Sequence, residues 1–159
     1  MKYVAIFLVI VTLVCGAGVG WLYMNTNVTV DAIGVVAVEA STQEEYFDTL
    51  RNQLETGTVE GTQFSQATLG TSDQYQFYTY TVRLKNSCYI TADMIEVQIT
   101  PMDGDVMQIG SETTFALPAQ STGDIQTTIL TDASMHSVRE ITITYYMWGL
   151  PFSIKTTAR

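Results

Sequence analysis

The sequence predicts a mostly β protein: a two-sheet antiparallel sandwich with one inserted α-helix, preceded by a membrane-spanning helix at the N-terminus. Three observations predict it. Tyr3 to Met24 carries no charge, and Val4 to Val14 is almost unbroken apolar sequence. Beyond residue 27, short apolar-polar alternations recur at roughly ten-residue spacing with turn residues between them, which is the rhythm of a sandwich. One stretch alone, about 42–56, has helical periodicity instead.

The anchor comes first. At about 1.5 Å rise per residue, the 22 residues from Tyr3 to Met24 span roughly 33 Å, enough for a hydrocarbon core of roughly 30 Å. A cleaved secretory signal is the alternative, since its apolar region runs about 7 to 15 residues and ends at small residues such as Cys15-Gly16-Ala17. The apolar run continues past that point through Val19, Trp21, Leu22, Tyr23 and Met24, and Trp and Tyr favour the membrane-water interface. A retained anchor over residues 1–25 is therefore expected, with secretion after cleavage as the alternative. Lys2 and the amino terminus are the only positive charges nearby, which puts the N-terminus in the cytoplasm and the rest of the chain outside it.

Of 159 residues, about 130 lie beyond the anchor, the size of one domain over 27–159. The formal net charge is −9, and setting Lys2 aside leaves six basic against sixteen acidic residues in the body. That surface repels nucleic acid phosphates and anionic headgroups, so neither is an expected partner. Cys15 sits in the apolar segment and Cys88 in the body, so they cannot pair within one folded chain. A disulfide-free outer domain of this size points to a bacterial surface, with Cys88 expected as a buried, inert thiol.

The elements follow in order. VTVDAIGVVAVE, from Val28 to Glu39, is rich in β-branched residues and reads as a strand, with Gly34 marking a bulge. The helix over about 42–56 has Ser41 and Glu44 at capping-box spacing, an apolar stripe of Phe47, Leu50 and Leu54, and Gly57 as its stop. Glu44, Glu45 and Asp48 complement its dipole as a solvated acidic face, since adjacent residues diverge around a helix and suit no metal. Thr58 to Gln66 is weakly strand-like. Tyr75 to Lys85 alternates, with Tyr78, Tyr80, Val82 and Leu84 on one side; Ile95, Val97 and Ile99 repeat the pattern. These are two half-buried antiparallel strands. Asp103-Gly104 is a hairpin signal leading into Val106 to Ile109. Short strands follow at 113–117 and, after Pro118, at 124–131. Val138 to Trp148 is a long strand, and after a Trp148-Gly149-Leu150-Pro151 turn Phe152, Ile154 and Thr156 close the chain as a hairpin. The helix is expected at an edge or end of the sandwich.

Three stretches carry a resemblance: Tyr80-Thr-Val-Arg-Leu-Lys-Asn86, Ala92-Asp-Met-Ile-Glu-Val-Gln-Ile99, and Leu117-Pro-Ala-Gln-Ser-Thr-Gly-Asp124. With the final hairpin, they resemble bacterial cell-surface immunoglobulin-like domains of the CARDB and FxLYD type, Ser87-Cys88 standing where that pattern has x-Gly. The chain also looks like small single-pass membrane proteins of Gram-positive bacteria. The resemblance implies an immunoglobulin-like antiparallel β-sandwich and a binding or scaffolding role with no catalytic residues to transfer.

The residues themselves offer little chemistry. His136 is the only histidine, with no nucleophile-elbow pattern to partner it, and one histidine with one outer cysteine falls short of a zinc set. Asp103-x-Asp105 matches half of a calcium loop without the remaining ligands, so a turn is the reading. No cofactor, no metal and no enzymatic activity are expected. What remains is surface. Trp148 at a rigid turn would make an interface anchor, unless its indole folds back over the end of the sandwich. Tyr75, Phe77 and Tyr146 would form an aromatic platform for a carbohydrate or a peptide, unless such residues line the second sheet or lie beneath the helix stripe of Phe47, Leu50 and Leu54. The expected function is a membrane-anchored, non-catalytic module that binds another envelope protein; the alternative is a glycan or small-ligand module using Trp148 and the tyrosine face.

Overall fold

The structure is a computed structural model that describes residues 2–24, 27–65, 68–110 and 115–158, the side chain of Leu22 excepted. Helix α1, Lys2–Met24, is followed by β1 (Val28–Glu39), a 3-10 turn (Ala40–Gln43), α2 (Glu44–Thr56), β2 (Thr62–Gln63) and β3 (Tyr75–Asn86). The chain continues through β4 (Ala92–Ile99), β5 (Asp105–Ile109), β6 (Phe115–Leu117), β7 (Ser121–Asp132), β8 (Arg139–Met147) and β9 (Leu150–Ala158). Two antiparallel sheets form, one ordered β1-β3-β7-β5-β2 and the other β6-β4-β8-β9.

The alternation seen in the sequence builds the interior. Tyr80, Val82 and Leu84 of β3 and Ile125 and Ile129 of β7 meet Ile95, Val97 and Ile99 of β4 and Ile141 and Ile143 of β8. At about 1.5–3 kcal/mol for each fully buried large aliphatic or aromatic side chain, this layer is the main source of stability. β3 and β4, legible as two half-buried strands, therefore face each other across the interior and do not pair.

A second core lies on the outside of the five-stranded sheet. Ala40, Phe47 and Leu50 pack on Phe77 of β3, Leu130 of β7 and Val106 and Met107 of β5. The helix thus covers an outer sheet face, not the edge or end expected, because β3, β7 and β5 carry apolar residues on both faces. Its C-terminus is stopped by Gly57 at φ 67, with the Gly57 and Thr58 N–H groups donating to Leu54 O and Gln53 O.

Three local expectations are corrected. The Ser41–Glu44 capping box does not form: Ala40 is fully buried, the chain tightens into the 3-10 turn, and the Ser41 hydroxyl lies 3.5 Å from the Glu39 carboxylate. Helix α2 starts at Glu44 on an N-cap, Gln43, whose side chain makes no capping bond. The bulge in β1 falls between Val30 and Ala32, while Gly34 pairs regularly with Thr81. Lastly, the Asp103-Gly104 turn does not close a hairpin with β4; it carries the chain to the other sheet, where β5 pairs with β7 and β2. The expected strand at 113–117 is seen as β6, its first two residues lying outside the described ones.

Strand directions sort the connections into two ends. The start of β1, the 87–91 loop, the 118–120 turn and the β8–β9 turn share the end where α1 joins the body. α1 itself is long and apolar enough to cross a membrane, Lys2–Trp21 having a mean hydropathy of 2.4 with none of it covered by the rest of the chain. A signal sequence has the same form.

Candidate functional site

At the far end, the loop after β7 is tied down by side chains from β3. Tyr78 donates to Met135 O (2.9 Å), Tyr80 to Ser137 O (2.7 Å), and Gln76 Nε2 to Met135 O (2.9 Å). Beneath it, Arg139 of β8 meets Asp105 of β5 through two hydrogen bonds, Nη2 to Oδ1 at 2.7 Å and Nε to Oδ2 at 3.0 Å. Burial pushes the Tyr80 phenol up to about 12, although the Arg139 guanidinium pulls it back. Arg139 also donates to the backbone carbonyls of His136 and Val138, while the His136 imidazole is exposed. Asp105 spends its other contact on the Met102 N–H, at 2.8 Å. This cluster is a lock between sheets; its ions are sealed from any substrate. Among the described residues no three His, Cys, Asp or Glu side chains come together as a metal site.

A second polar device lies between the sheets. Gln108 of β5 accepts from Ile99 N–H (2.9 Å) and donates to Val97 O (2.7 Å) and Thr127 Oγ1 (2.8 Å). Its amide therefore pairs with the backbone of β4 as a neighbouring strand would, on the stretch beyond the short β6. The sheets are stitched together at this side.

Outside that stitch lies a cleft of about 580 Å³. One wall is α2, through Tyr46, Thr49 and Gln53; the other is the 60–62 segment at the edge of β5; Glu96 of β4 reaches in. Glu60 and Glu96 make it acidic. Arg51 holds the helix wall in place, its Nη2 bonding Gly70 O at 2.6 Å and its guanidinium lying 4.9 Å from the Phe47 ring centroid. The cleft presents a carboxylate-lined wall and an apolar floor, and among the described residues lining it no nucleophile is paired with a base.

The four residues singled out by sequence divide into two pairs. Phe77 is buried and Tyr75 half-buried beneath α2, their rings 5.6 Å from Tyr46 and 5.5 Å from Phe47, so they seat the helix. Tyr146 and Trp148 sit on the β8–β9 hairpin at the α1 end, Tyr146 half-buried in register with Asp93 and Pro151. No common aromatic platform exists. The hairpin turn is only Trp148-Gly149, with Met147 paired to Leu150 and both turn residues left-handed (φ 55 and 74). Trp148 as a whole residue is 44% exposed at this turn. Cys88 is buried as expected, its sulfur accepting from the Asn27 N–H.

The sequence reading passed over Arg139, Asp105 as an ion-pair partner, Gln108, and the Glu60–Glu96 cleft. For Arg139 a signal existed: it shares the odd-numbered phase of Ile141, Ile143 and Tyr145, and therefore the buried face. No such signal marks the cleft, whose two carboxylates, Glu60 and Glu96, stand far apart in sequence.

No family model matches the chain, and no curated protein matches it. Among solved structures it is similar to a FixG-related protein from Vibrio parahaemolyticus, with 11% identity over 80% of this chain and 95% of that one, at a TM-score of 0.35. It is also similar to the cupredoxin domain of amoB from Nitrosocaldus yellowstonii, with 10% identity over 82% of this chain and 84% of that one, at a TM-score of 0.36.

Proposed function

We propose that this is a single-pass membrane protein of a bacterial envelope, N-terminus cytoplasmic, whose immunoglobulin-like sandwich works outside the cytoplasm as a non-catalytic module binding another envelope protein. The cleft between α2 and the β5 edge carries this reading. It is open and acidic, and its 580 Å³ suits a short segment of a partner bearing Lys or Arg. Support for the location comes from α1, which nothing covers.

The test is site-specific photocrosslinking of the full chain in its native membranes. A photoreactive residue at Gln53, in the cleft wall, is expected to yield one discrete adduct. The same residue at Thr157, on β9, is expected to yield none, and Glu60→Lys with Glu96→Lys should abolish the Gln53 adduct. Equal labelling from both positions, or no adduct at Gln53, overturns the proposal.

A further inference from the structure

The end of the sandwich next to α1 gathers exposed apolar side chains and unusual backbone. Among the described residues, three non-glycine positions have a left-handed backbone, Met94 (φ 49), Gln120 (φ 54) and Trp148 (φ 55), and all three lie at this end. Such a conformation costs an ordinary residue roughly 1–2 kcal/mol and is worth holding only for a reason. Gln120 has a local one: its N–H and side chain both bond Cys88 O, and Nε2 also bonds Ser87 O. Met94 and Trp148 take it in a β-bulge and in a two-residue hairpin turn, which account for the backbone but not for large apolar side chains at those positions. A bulge in β4, between the pairs Asp93–Tyr146 and Glu96–Thr144, turns Met94 outward until it is 59% exposed. The β8–β9 turn does the same for Trp148, with Leu150 beside it 47% exposed and Tyr89 in the neighbouring loop 68% exposed.

We propose that this rim is a membrane-contact surface: the tip of the β8–β9 hairpin, Met94 and Tyr89 sit in the headgroup region of the same bilayer that α1 spans. The inference rests on the anchored reading above. Continuity with α1 commits the rim to lipid. Trp21, near the end of the span, lies 6.3 Å from the Tyr89 ring in a stacked arrangement, and Tyr23 lies 6.1 Å from Phe152 of β9. Trp and Tyr near the end of a span mark interfacial depth, so Tyr89 is held at that depth by its contact. Four Cα steps separate Met24 from Val28, a tether of at most about 14 Å, which leaves the body nowhere else to rest. The chemistry of the rim is interfacial: indole, phenol, thioether and a leucine, with a groove of about 410 Å³ beside them presenting Lys85, Ser87, Ser121 and Thr122. The acidic body opposes binding to anionic lipid, so aromatic and apolar contact drives the seating and a neutral bilayer suffices.

The chain has two tryptophans, which makes the test direct. The full chain is reconstituted in phosphatidylcholine vesicles whose acyl chains are brominated just below the headgroup. A Trp21→Phe variant reports Trp148 alone, and a Trp148→Phe variant reports Trp21 alone. Trp21 emission should be quenched because α1 spans, and Trp148 should be blue-shifted and lose roughly half its emission, as an interfacial indole does. Quenched Trp21 with Trp148 unquenched and emitting as in water overturns the rim proposal and leaves the anchor standing. Failure of quenching at both positions overturns the anchor and the rim together.

Discussion

Arg139 and Asp105 meet as a two-pronged ion pair with both side chains completely buried, their closest atoms 2.7 Å apart. The pair joins β8 in one sheet to β5 in the other, and it explains why the turn at Met102 does not form a hairpin with β4. Asp105 must reach inward to its guanidinium. A buried pair of this kind is costly to break because the surviving partner is left charged in a low-dielectric interior.

Arg139→Met is therefore expected to destabilise the fold by about 3–5 kcal/mol, and Asp105→Asn by a similar amount. The double variant Arg139→Met with Asp105→Leu removes both charges and should recover at least half of that loss. Denaturant unfolding of the detergent-solubilised chain checks the cycle. Additive losses in the double variant would show that the two side chains act independently.

Tyr80 gives the fold a pH limit on the alkaline side. Its phenol keeps its proton to about 12 in the folded chain, whereas an unburied tyrosine releases it near 10.0. Ionisation thus favours the unfolded state between those values: the stabilisation is complete below pH 10.0 and disappears as pH rises through about 12. The shift corresponds to about 2–3 kcal/mol. Tyr80→Phe cannot ionise, so its stability should decline less steeply over this window, although it starts lower for want of the bond to Ser137 O. Parallel slopes for the two proteins would contradict this assignment.

The Gln108 amide stands in for a missing strand beside β4. Gln108→Leu keeps the volume but strands Ile99 N–H and Val97 C=O, each buried group costing about 1–3 kcal/mol when unpaired, while the Thr127 hydroxyl keeps its bond to Ile109 O. A loss of about 3 kcal/mol is expected, together with faster amide exchange at Ile99, and a neutral Gln108→Leu would mean that water takes over the pairing. Gln108→Glu should be at least as damaging, because a carboxylate cannot donate to Val97 O.

How much of this was legible depends on whether the information was local. The phases of Tyr78, Tyr80, Val82 and Leu84, and of Ile141, Ile143 and Tyr145, were visible as alternations because each faces a single apolar interior. The bulge in β1 was also written there, although not at Gly34. The inward residues change phase from Val28 and Val30 to Ile33 and Val35, and only an extra residue at Asp31 can absorb the change. What local pattern could not give was which strand pairs with which. Asp103-Gly104 is a turn by any local criterion, and distant partners, Arg139 for Asp105 and Phe77 and Leu130 for Val106 and Met107, accompany the path the chain takes next. The split of Tyr75 and Phe77 from Tyr146 has the same origin, since they belong to opposite sheets whose assignment follows from long-range pairing.

Trp148 offers the last test, on the fold itself. The β8–β9 turn has two residues, both left-handed, and the sequence best suited to that geometry is Asn-Gly. Trp148→Asn should therefore leave the detergent-solubilised chain equally stable or stabilise it by about 0.5–1 kcal/mol, since Asn tolerates a positive φ and no strand register changes. Denaturant midpoints of the two proteins decide the matter. A variant less stable by more than about 1 kcal/mol would show that the indole packs on the body. Stability unchanged or raised shows instead that the tryptophan is held in an unfavourable backbone for something outside the fold. The exposed neighbours Leu150, Met94 and Tyr89 point to the bilayer surface as that something.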